Sequence, residues 1–129
     1  MKYLPLIGRI IFSISFLMAG FTHFMPQSIA YAASKGTPMP NVIVPASGIL
    51  ALTGGLSIVL GYKAKLGAWL LILFLIPVTF IMHNFWMVTD PMQQQIGMAF
   101  FIKNLAMIGA ALLIAYFGAG PVSIDAMKK

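Results

Sequence analysis

The sequence has no cysteine and very few charged side chains, and both shortages limit what the chain can be. Without cysteine there are no disulfides, thiolate nucleophiles, iron–sulfur clusters or cysteine-ligated zinc sites, so a redox role requires a bound cofactor or a partner. Charged residues make up 8% of the 129 residues, whereas soluble domains carry about 25%. So few charges cannot cover a water-facing surface, and lipid must therefore surround most of the chain.

Acidic residues are scarcest of all, because Asp90 and Asp125 are the only two carboxylate side chains. Both lie outside the long apolar runs, which argues against an intramembrane proton relay or cation pathway. It also argues against a zinc or di-iron site, and we expect no metal. The formal net charge is +6, but the basic residues form no stripe, so we expect no nucleic-acid partner.

Long apolar runs are what the sequence does contain. Hydrophobic residues make up 60% of the chain and the mean hydropathy is +0.97. A membrane-crossing helix needs about 20 apolar residues, and four runs qualify, at about residues 3–24, 42–61, 66–86 and 97–117. They show no period-2 alternation, which excludes a barrel. The sequence predicts one all-α domain over residues 1–129, a transmembrane four-helix bundle, with a loop at about 25–41.

The basic residues predict the orientation of these helices. If the helices alternate, five lysines fall on one side of the membrane: Lys2, Lys63, Lys65, Lys128 and Lys129. The other side receives only Lys35 and Asp90. Because basic loops stay in the cytoplasm, we predict that both termini are cytoplasmic. An alternative for the first span is a cleaved signal peptide with an A-x-A site at Ala30-Tyr31-Ala32.

Small residues predict where the helices approach closely. Helices in lipid associate through small side chains at four-residue steps. The second run carries Ser47, Ala51 and Gly55 at such steps, with Gly48 and Gly54 beside them. The fourth run carries two such pairs, Ala106 with Ala110 and Ala111 with Ala115. Packing within the bundle is the simpler interpretation, and a homo-oligomer face is the alternative. Pro77, inside the third run, predicts a kink.

A polar stripe runs along the first predicted helix. At about 100° per residue, Arg9, Ser13, Gly20 and His23 fall within roughly 40° of one line. Intramembrane ionisable residues indicate function by default. The competing interpretation is that Arg9 is only an anchor that snorkels to the interface.

A second group of polar residues is predicted at the periplasmic ends of three helices. It comprises His23, His83, Asn84, Lys103 and Asn104. A neutral histidine can donate a hydrogen bond to a quinone carbonyl, and Lys103 can stabilise the negative charge of a reduced quinone. Two histidines can also ligate haem, but nothing beyond the pair supports haem. The alternative is that these side chains only reach lipid headgroups. No catalytic residue is evident.

Four segments resemble the DoxX family of small four-helix membrane proteins, from about Leu6 to Asp125. They are Gly8-Arg9 followed by FLMAGFTHFMP at 16–26, KGTPMP at 35–40, GILALTGGLSIVLGYKAKLGAWLL at 48–71, and FFIKNLAMIGAALLIAYFGAGPVSID at 100–125. The last is the most specific. Two positions depart from the family pattern: Ala51 replaces a common glutamate, and His23 replaces a common lysine. A mechanism that needs that glutamate does not carry over.

The resemblance implies a multi-pass protein of the bacterial inner membrane. Relatives in this family include a membrane subunit of a thiosulfate:quinone oxidoreductase and a component of a membrane-associated oxidoreductase complex. It therefore implies an accessory subunit of a quinone-linked redox complex, not an enzyme by itself. One alternative is a small transporter or lipid- or solute-handling protein, with a hydrated cavity lined by Arg9, Ser13, Lys103 and Asn104. Another is a structural protein without a site.

Overall fold

A computed structural model describes residues 1–128 of the chain. Lys129, one of the basic residues in the orientation argument, lies outside the described residues. The helices are α1 (Leu4–Thr22), α2 (Pro26–Ser34), α3 (Pro40–Leu60), α4 (Ala64–Met82), α5 (Pro91–Phe117) and α6 (Ile124–Met127), with a 3₁₀ turn at Phe85–Met87. Four of them, α1, α3, α4 and α5, are long and apolar enough to cross a membrane. The predicted all-α membrane fold is confirmed.

Several helices begin or end at other residues than the sequence predicts, mainly because some polar residues are part of a helix. The fourth span begins at Pro91 rather than near residue 97, because Asp90 caps it by accepting a hydrogen bond from the Gln93 amide. The third ends at Met82, before the 3₁₀ turn. The expected loop at 25–41 was wrong in part, because α2 occupies residues 26–34. Proline in the first turn favours such a start, and Pro26 supplies it.

The spanning helices pack in chain order. Helix α3 lies between α1 and α4, and α4 lies between α3 and α5. Their shared core comprises Phe16, Ala51, Ile58, Ala68, Leu71, Ile72, Phe74, Leu75 and Ala111. Helix α5 buries only Asn104 and Ala111. Most of its surface is therefore left for lipid or for a partner.

Two pairs of glycines lie where neighbouring helices cross with close backbone contact. A Cβ on Gly48 would lie 2.9 Å from the Gly20 carbonyl oxygen, where α1 crosses α3. A Cβ on Gly54 would lie 3.0 Å from the Gly67 carbonyl oxygen, where α3 crosses α4. Close backbone approach of this kind needs the smallest residues. Gly54 thus packs against α4, and Gly55 faces Leu17 of α1.

The other small residues predicted at helix contacts are divided between the interior and the outer surface. Ala51 is fully buried and Ser47 is half-buried in α3. In α5, however, Ala106 is exposed and Ala110 is half-buried, while Ala111 is the fully buried alanine. Ala106 and Ala110 therefore lie away from the buried face of α5. The residues of α5 that are buried against the bundle are Asn104 and Ala111.

Arg9 joins three distant parts of the chain at one end of the bundle. Its side chain is 4% exposed. Nη1 donates to the carbonyls of Ile58 and Val59, both at 3.1 Å, and Nη2 donates to the carbonyl of Val122 at 2.5 Å. The last carbonyls of a helix lack intrahelical partners, so Arg9 caps the end of α3. The interpretation of Arg9 as a snorkelling anchor was therefore wrong.

The C-terminal segment completes this end of the bundle, which we call the Arg9 end. The Asp125 carboxylate accepts hydrogen bonds from the amides of Lys63 and Ala64, at 2.7 and 3.0 Å. The Asp125 amide donates to the Gly61 carbonyl at 2.7 Å. Asp125 thereby caps the start of α4, where a carboxylate also opposes the positive end of the helix dipole. Residues 118–128 are thus held to the turn between α3 and α4.

The orientation of the bundle in the membrane stays a prediction, which reporter fusions test. The termini and the turn at Gly61 share the Arg9 end, and the 23–39 and 83–90 segments share the other. We expect a green fluorescent protein fused after residue 129 to fluoresce, and alkaline phosphatase inserted after Gly36 to be active. A C-terminal fluorescent protein that stays dark, together with an inactive phosphatase after Gly36, would contradict a cytoplasmic Arg9 end.

Candidate functional site

A cavity of about 350 Å³ lies beside α3 and α4, toward the end of the bundle opposite Arg9. Helix α2 and Thr37 border it on one side. Its walls are mostly apolar and come from the end of α1, from α2, α3 and α4, and from the segment before α3: His23, Ser28, Ala32, Thr37, Ile43, Val44, Ala46, Ser47, Leu50, Leu73, Phe74, Pro77, Val78, Ile81 and Met82. Pockets of about 300–1,000 Å³ with few polar groups are typical small-molecule sites.

The cavity opens through the lipid-facing side of the bundle. Among its lining residues, Leu73 is 58% exposed and Ile43 is 37% exposed, and Pro77 is also exposed. All three belong to membrane-spanning helices. A ligand soluble in the bilayer can therefore reach the cavity sideways, without passing through water.

His23 is the principal polar group of the cavity. It ends α1, and the Gly20–Gly48 crossing brings it against α3. Its Nδ1 lies 2.8 Å from the Ser47 hydroxyl oxygen. Its ring lies 5.5 Å from the ring of Phe74 on α4, at 47°. The imidazole is thus fixed by α3 on one side and by an aromatic ring of α4 on the other.

Pro77 interrupts the hydrogen bonding of α4 next to the cavity. Proline has no backbone N–H, so the carbonyl four residues earlier loses its usual helical donor. That carbonyl belongs to Leu73, and both residues line the cavity. The hydroxyls of Ser28 and Thr37 also line the cavity. Polar groups are therefore few and are carried on α1, α2, α3 and α4 and on the segment before α3.

His83 and Lys103 form a separate group around Phe100. The His83 ring stacks on Phe100 with centroids 5.3 Å apart and planes 17° apart. The Lys103 Nζ lies 4.7 Å from the centre of the same ring, an arrangement that suits a cation–π contact. Within residues 1–128, no hydrogen bond or ring contact joins this group to His23. The structure thus divides the five residues predicted at this end.

The remaining predicted polar residues lie in different surroundings. Asn104 is 5% exposed on the inner face of α5, whereas Lys103 beside it is exposed. Asn84 is half-buried between α4 and the 3₁₀ turn. Ser13 is fully buried, and its hydroxyl has no hydrogen-bond partner in the part of the chain that the structure describes. The stripe of α1 therefore faces the bundle interior.

Sequence reasoning missed several residues of the cavity. Ser47 was singled out only for packing, although its hydroxyl holds His23. Ser28 and Thr37 fell in a segment expected to be a loop. The one feature of the sequence that could have indicated them is Pro26, which favours a helix start at this position. The resulting short helix, α2, packs against α3.

Comparisons with known proteins agree with this architecture. The DoxX family model matches residues 4–84. Inner membrane protein YphA of Escherichia coli K12 is 32% identical over 126 residues, covering 95% of this chain and 88% of YphA. Inner membrane protein YqjF of the same organism is 28% identical over 121 residues, covering 93% and 88%. No solved structure matches the chain.

A similarity over part of the chain extends to a eukaryotic protein. ER-derived vesicles protein ERV29 of Saccharomyces cerevisiae is 31% identical over 81 residues, which is 63% of this chain and 26% of ERV29. The family model ends before Phe100–Asp125, the most specific part of the resemblance, but the similarity to YphA extends into it. The family match and the similarity to YphA across nearly the whole chain show that this protein belongs to the DoxX family and is a multi-pass inner-membrane protein.

Proposed function

We propose that this chain is an accessory subunit of a quinone-linked membrane redox complex, and that its cavity holds the ring of a lipid-soluble quinone. One observation carries the proposal. An apolar cavity of about 350 Å³, open toward lipid, has a fixed histidine–serine pair in its wall. A quinone is a flat apolar ring with two polar oxygens and a tail that stays in the bilayer, so its shape and polarity match this cavity.

The role is accessory because the chain supplies no electron-carrying group of its own. It has no cysteine, and its sequence shows no cofactor-binding motif. Electrons exchanged with a quinone at His23 therefore come from, or go to, an oxidoreductase partner. The largely exposed surface of α5 is where a partner helix has room to pack. A second copy of this chain is the alternative occupant of that surface.

Lipid or solute handling is the second candidate function, because the same lateral opening would admit other membrane-soluble molecules. A transport path along Arg9 is less suitable, since its guanidinium is buried and bonded to three carbonyls. A purely structural role would leave the cavity without a ligand. Binding experiments separate these candidates.

We expect a short-chain benzoquinone with a decyl tail, poised half-reduced, to bind saturably to the protein in nanodiscs. His23→Ala should weaken binding about tenfold, because a buried hydrogen bond to the ligand is lost. The measurement is equilibrium binding of the labelled compound, with empty nanodiscs subtracted. Ser15→Ala is the matched control, since Ser15 is on the same helix but exposed.

His83→Ala distinguishes the two histidine groups in the same assay. Binding should be unchanged, because His83 contacts Phe100 and does not line the cavity. Loss of binding in His83→Ala with a normal His23→Ala would move the site to the group around Phe100. Absence of saturable binding in the parent protein would refute the quinone site.

A further inference from the structure

We infer that the cavity selects the hydroxyl-bearing, reduced form of its ligand over the carbonyl-bearing, oxidised form. The inference rests on the proposed quinone site and specifies which redox state it holds. The deciding feature is the hydrogen-bond chain from His23 through Ser47 to Val44. This chain fixes which nitrogen of the imidazole carries the proton.

The Ser47 hydroxyl has one proton to donate. Its oxygen lies 2.6 Å from the Val44 carbonyl oxygen, within the same helix. Two oxygens at that distance repel each other unless a proton lies between them, so the proton of Ser47 is directed to Val44. Such bonds from serine to a carbonyl one turn earlier are common in helices. Ser47 therefore has only lone pairs to offer His23.

The His23 Nδ1, 2.8 Å from the Ser47 oxygen, must then be the donor. A neutral imidazole with its proton on Nδ1 has an unprotonated Nε2, which accepts hydrogen bonds and cannot donate them. This tautomer is assigned from the hydrogen-bond network. The acceptors beside the imidazole, the Ser47 oxygen and the Val44 carbonyl, both belong to α3. Because His23 lines the cavity, Nε2 is the nitrogen open to a ligand.

Apart from His23, the residues that line the cavity are apolar or carry hydroxyl groups. The other polar groups of the cavity, the Ser28 and Thr37 hydroxyls, can donate or accept. The polar group whose protonation is set by the protein is therefore the His23 imidazole, and its free nitrogen is an acceptor. A hydroquinone brings two O–H donors, whereas a quinone brings two carbonyl acceptors that would face the Nε2 lone pair.

The reduced form is what a quinone becomes after taking up two electrons and two protons. If the partner reduces quinone, this subunit holds the product. If the partner oxidises quinol, the subunit holds the substrate. In either case the chain favours the same ligand state. This reverses the expectation from sequence, in which a histidine donates to a quinone carbonyl.

The test compares the decyl benzoquinone with its hydroquinone, under anaerobic conditions, on the protein in nanodiscs. We expect the hydroquinone to bind about tenfold tighter than the quinone. The hydroquinone gains one hydrogen bond to Nε2, whereas a quinone carbonyl would face the lone pair of Nε2 and gain none. Ser47→Ala frees the imidazole to place its proton on Nε2, so the preference should fall toward equality. Ser15→Ala should retain the preference.

A second measurement reads the tautomer directly. The chain has two histidines, so nitrogen NMR of ¹⁵N-histidine-labelled His83→Ala protein reports His23 alone. We expect an unprotonated Nε2, and a protonated Nε2 would overturn the inference. Equal affinity for the two redox forms, or tighter quinone binding, would also overturn it while leaving the quinone site intact. Binding of neither form would refute both the site and its selectivity.

Discussion

Replacing Arg9 with alanine lowers the free energy of unfolding by about 3 kcal/mol, because hydrogen bonds from charged groups contribute about 1.5–3 kcal/mol each. Arg9 donates to Ile58 and Val59 at the end of α3 and to Val122 in the C-terminal segment. Loss of the guanidinium leaves the Val59 and Val122 carbonyls short of a donor, while Ile58 keeps its bond from the Gly61 amide, and it releases residues 118–128 from α3. Arg9→Lys should recover only part of the loss, because an ammonium lacks the planar fork that reaches all three carbonyls.

The measurement is equilibrium unfolding of the purified protein in detergent micelles, titrated with sodium dodecyl sulfate. Lys2→Ala is the matched control, since Lys2 is an exposed basic residue near the same end, and exposed substitutions change stability by about 0.5 kcal/mol or less. If Arg9→Ala matched this control, Arg9 would be a snorkelling anchor after all and its role in joining α1, α3 and the C-terminal segment would be wrong.

Gly48→Leu separates α1 from α3 and abolishes ligand binding. Even a Cβ at this position would lie 2.9 Å from the Gly20 carbonyl oxygen and 2.9 Å from the Cβ of His23. Backbone atoms cannot move aside as a flexible side chain can, so the helices must part. Overpacking of this kind costs about 1–3 kcal/mol. His23 would then be displaced from Ser47, and the cavity would lose the wall that fixes its imidazole.

The control for Gly48→Leu is Gly109→Leu. Gly109 lies in α5, where a Cβ would meet nothing within 4 Å. Both variants add the same side chain to a membrane-spanning helix, so insertion and hydrophobicity are matched. Unfolding and hydroquinone binding are measured on both. Normal binding by Gly48→Leu would show that the Gly20–Gly48 crossing does not position His23.

The number and kind of the helices follow from sequence because they depend on local properties. A run of about 20 apolar residues needs no tertiary information to be assigned as a membrane span, and the bilayer leaves few alternatives to a helix. Helix ends were less certain. Gln93–Gln95 are polar, so the search for apolar runs left the first turns of α5 out of the fourth span. The Asp90–Pro91 pair is nevertheless typical of a helix start.

The roles of Arg9 and His23 depend on partners far away in the chain. Arg9 binds carbonyls 49, 50 and 113 residues distant. Every residue has a backbone carbonyl, so the sequence does not indicate which ones accept these bonds. The stripe of α1 predicted that Arg9 and His23 share a face, but that face alone does not say what lies opposite. The residue that lies opposite His23 depends on which of several glycines on α3 packs against Gly20. Small residues are visible in the sequence, but their pairing is decided by packing.

The division of the polar group predicted at the end opposite Arg9 has a similar cause. His83 and Lys103 both contact Phe100 through the packing of α4 against α5. His23 reaches Ser47 through the packing of α1 against α3. Depth in the membrane was predictable for all three residues from their distance to a helix end. The direction of each side chain around its helix axis was not, because neighbouring helices set it.

The most direct test of the account is purification of the tagged protein, expressed at its native level, from native membranes in mild detergent. Mass spectrometry of the proteins, a visible spectrum and quinone analysis of the extracted lipid are made on one sample. If the chain is a subunit of a quinone-linked complex, we expect a stoichiometric oxidoreductase partner and retained quinone that is depleted in the His23→Ala protein. A lone chain with no quinone above the level of the surrounding lipid would contradict it, and would favour lipid or solute handling or a structural role.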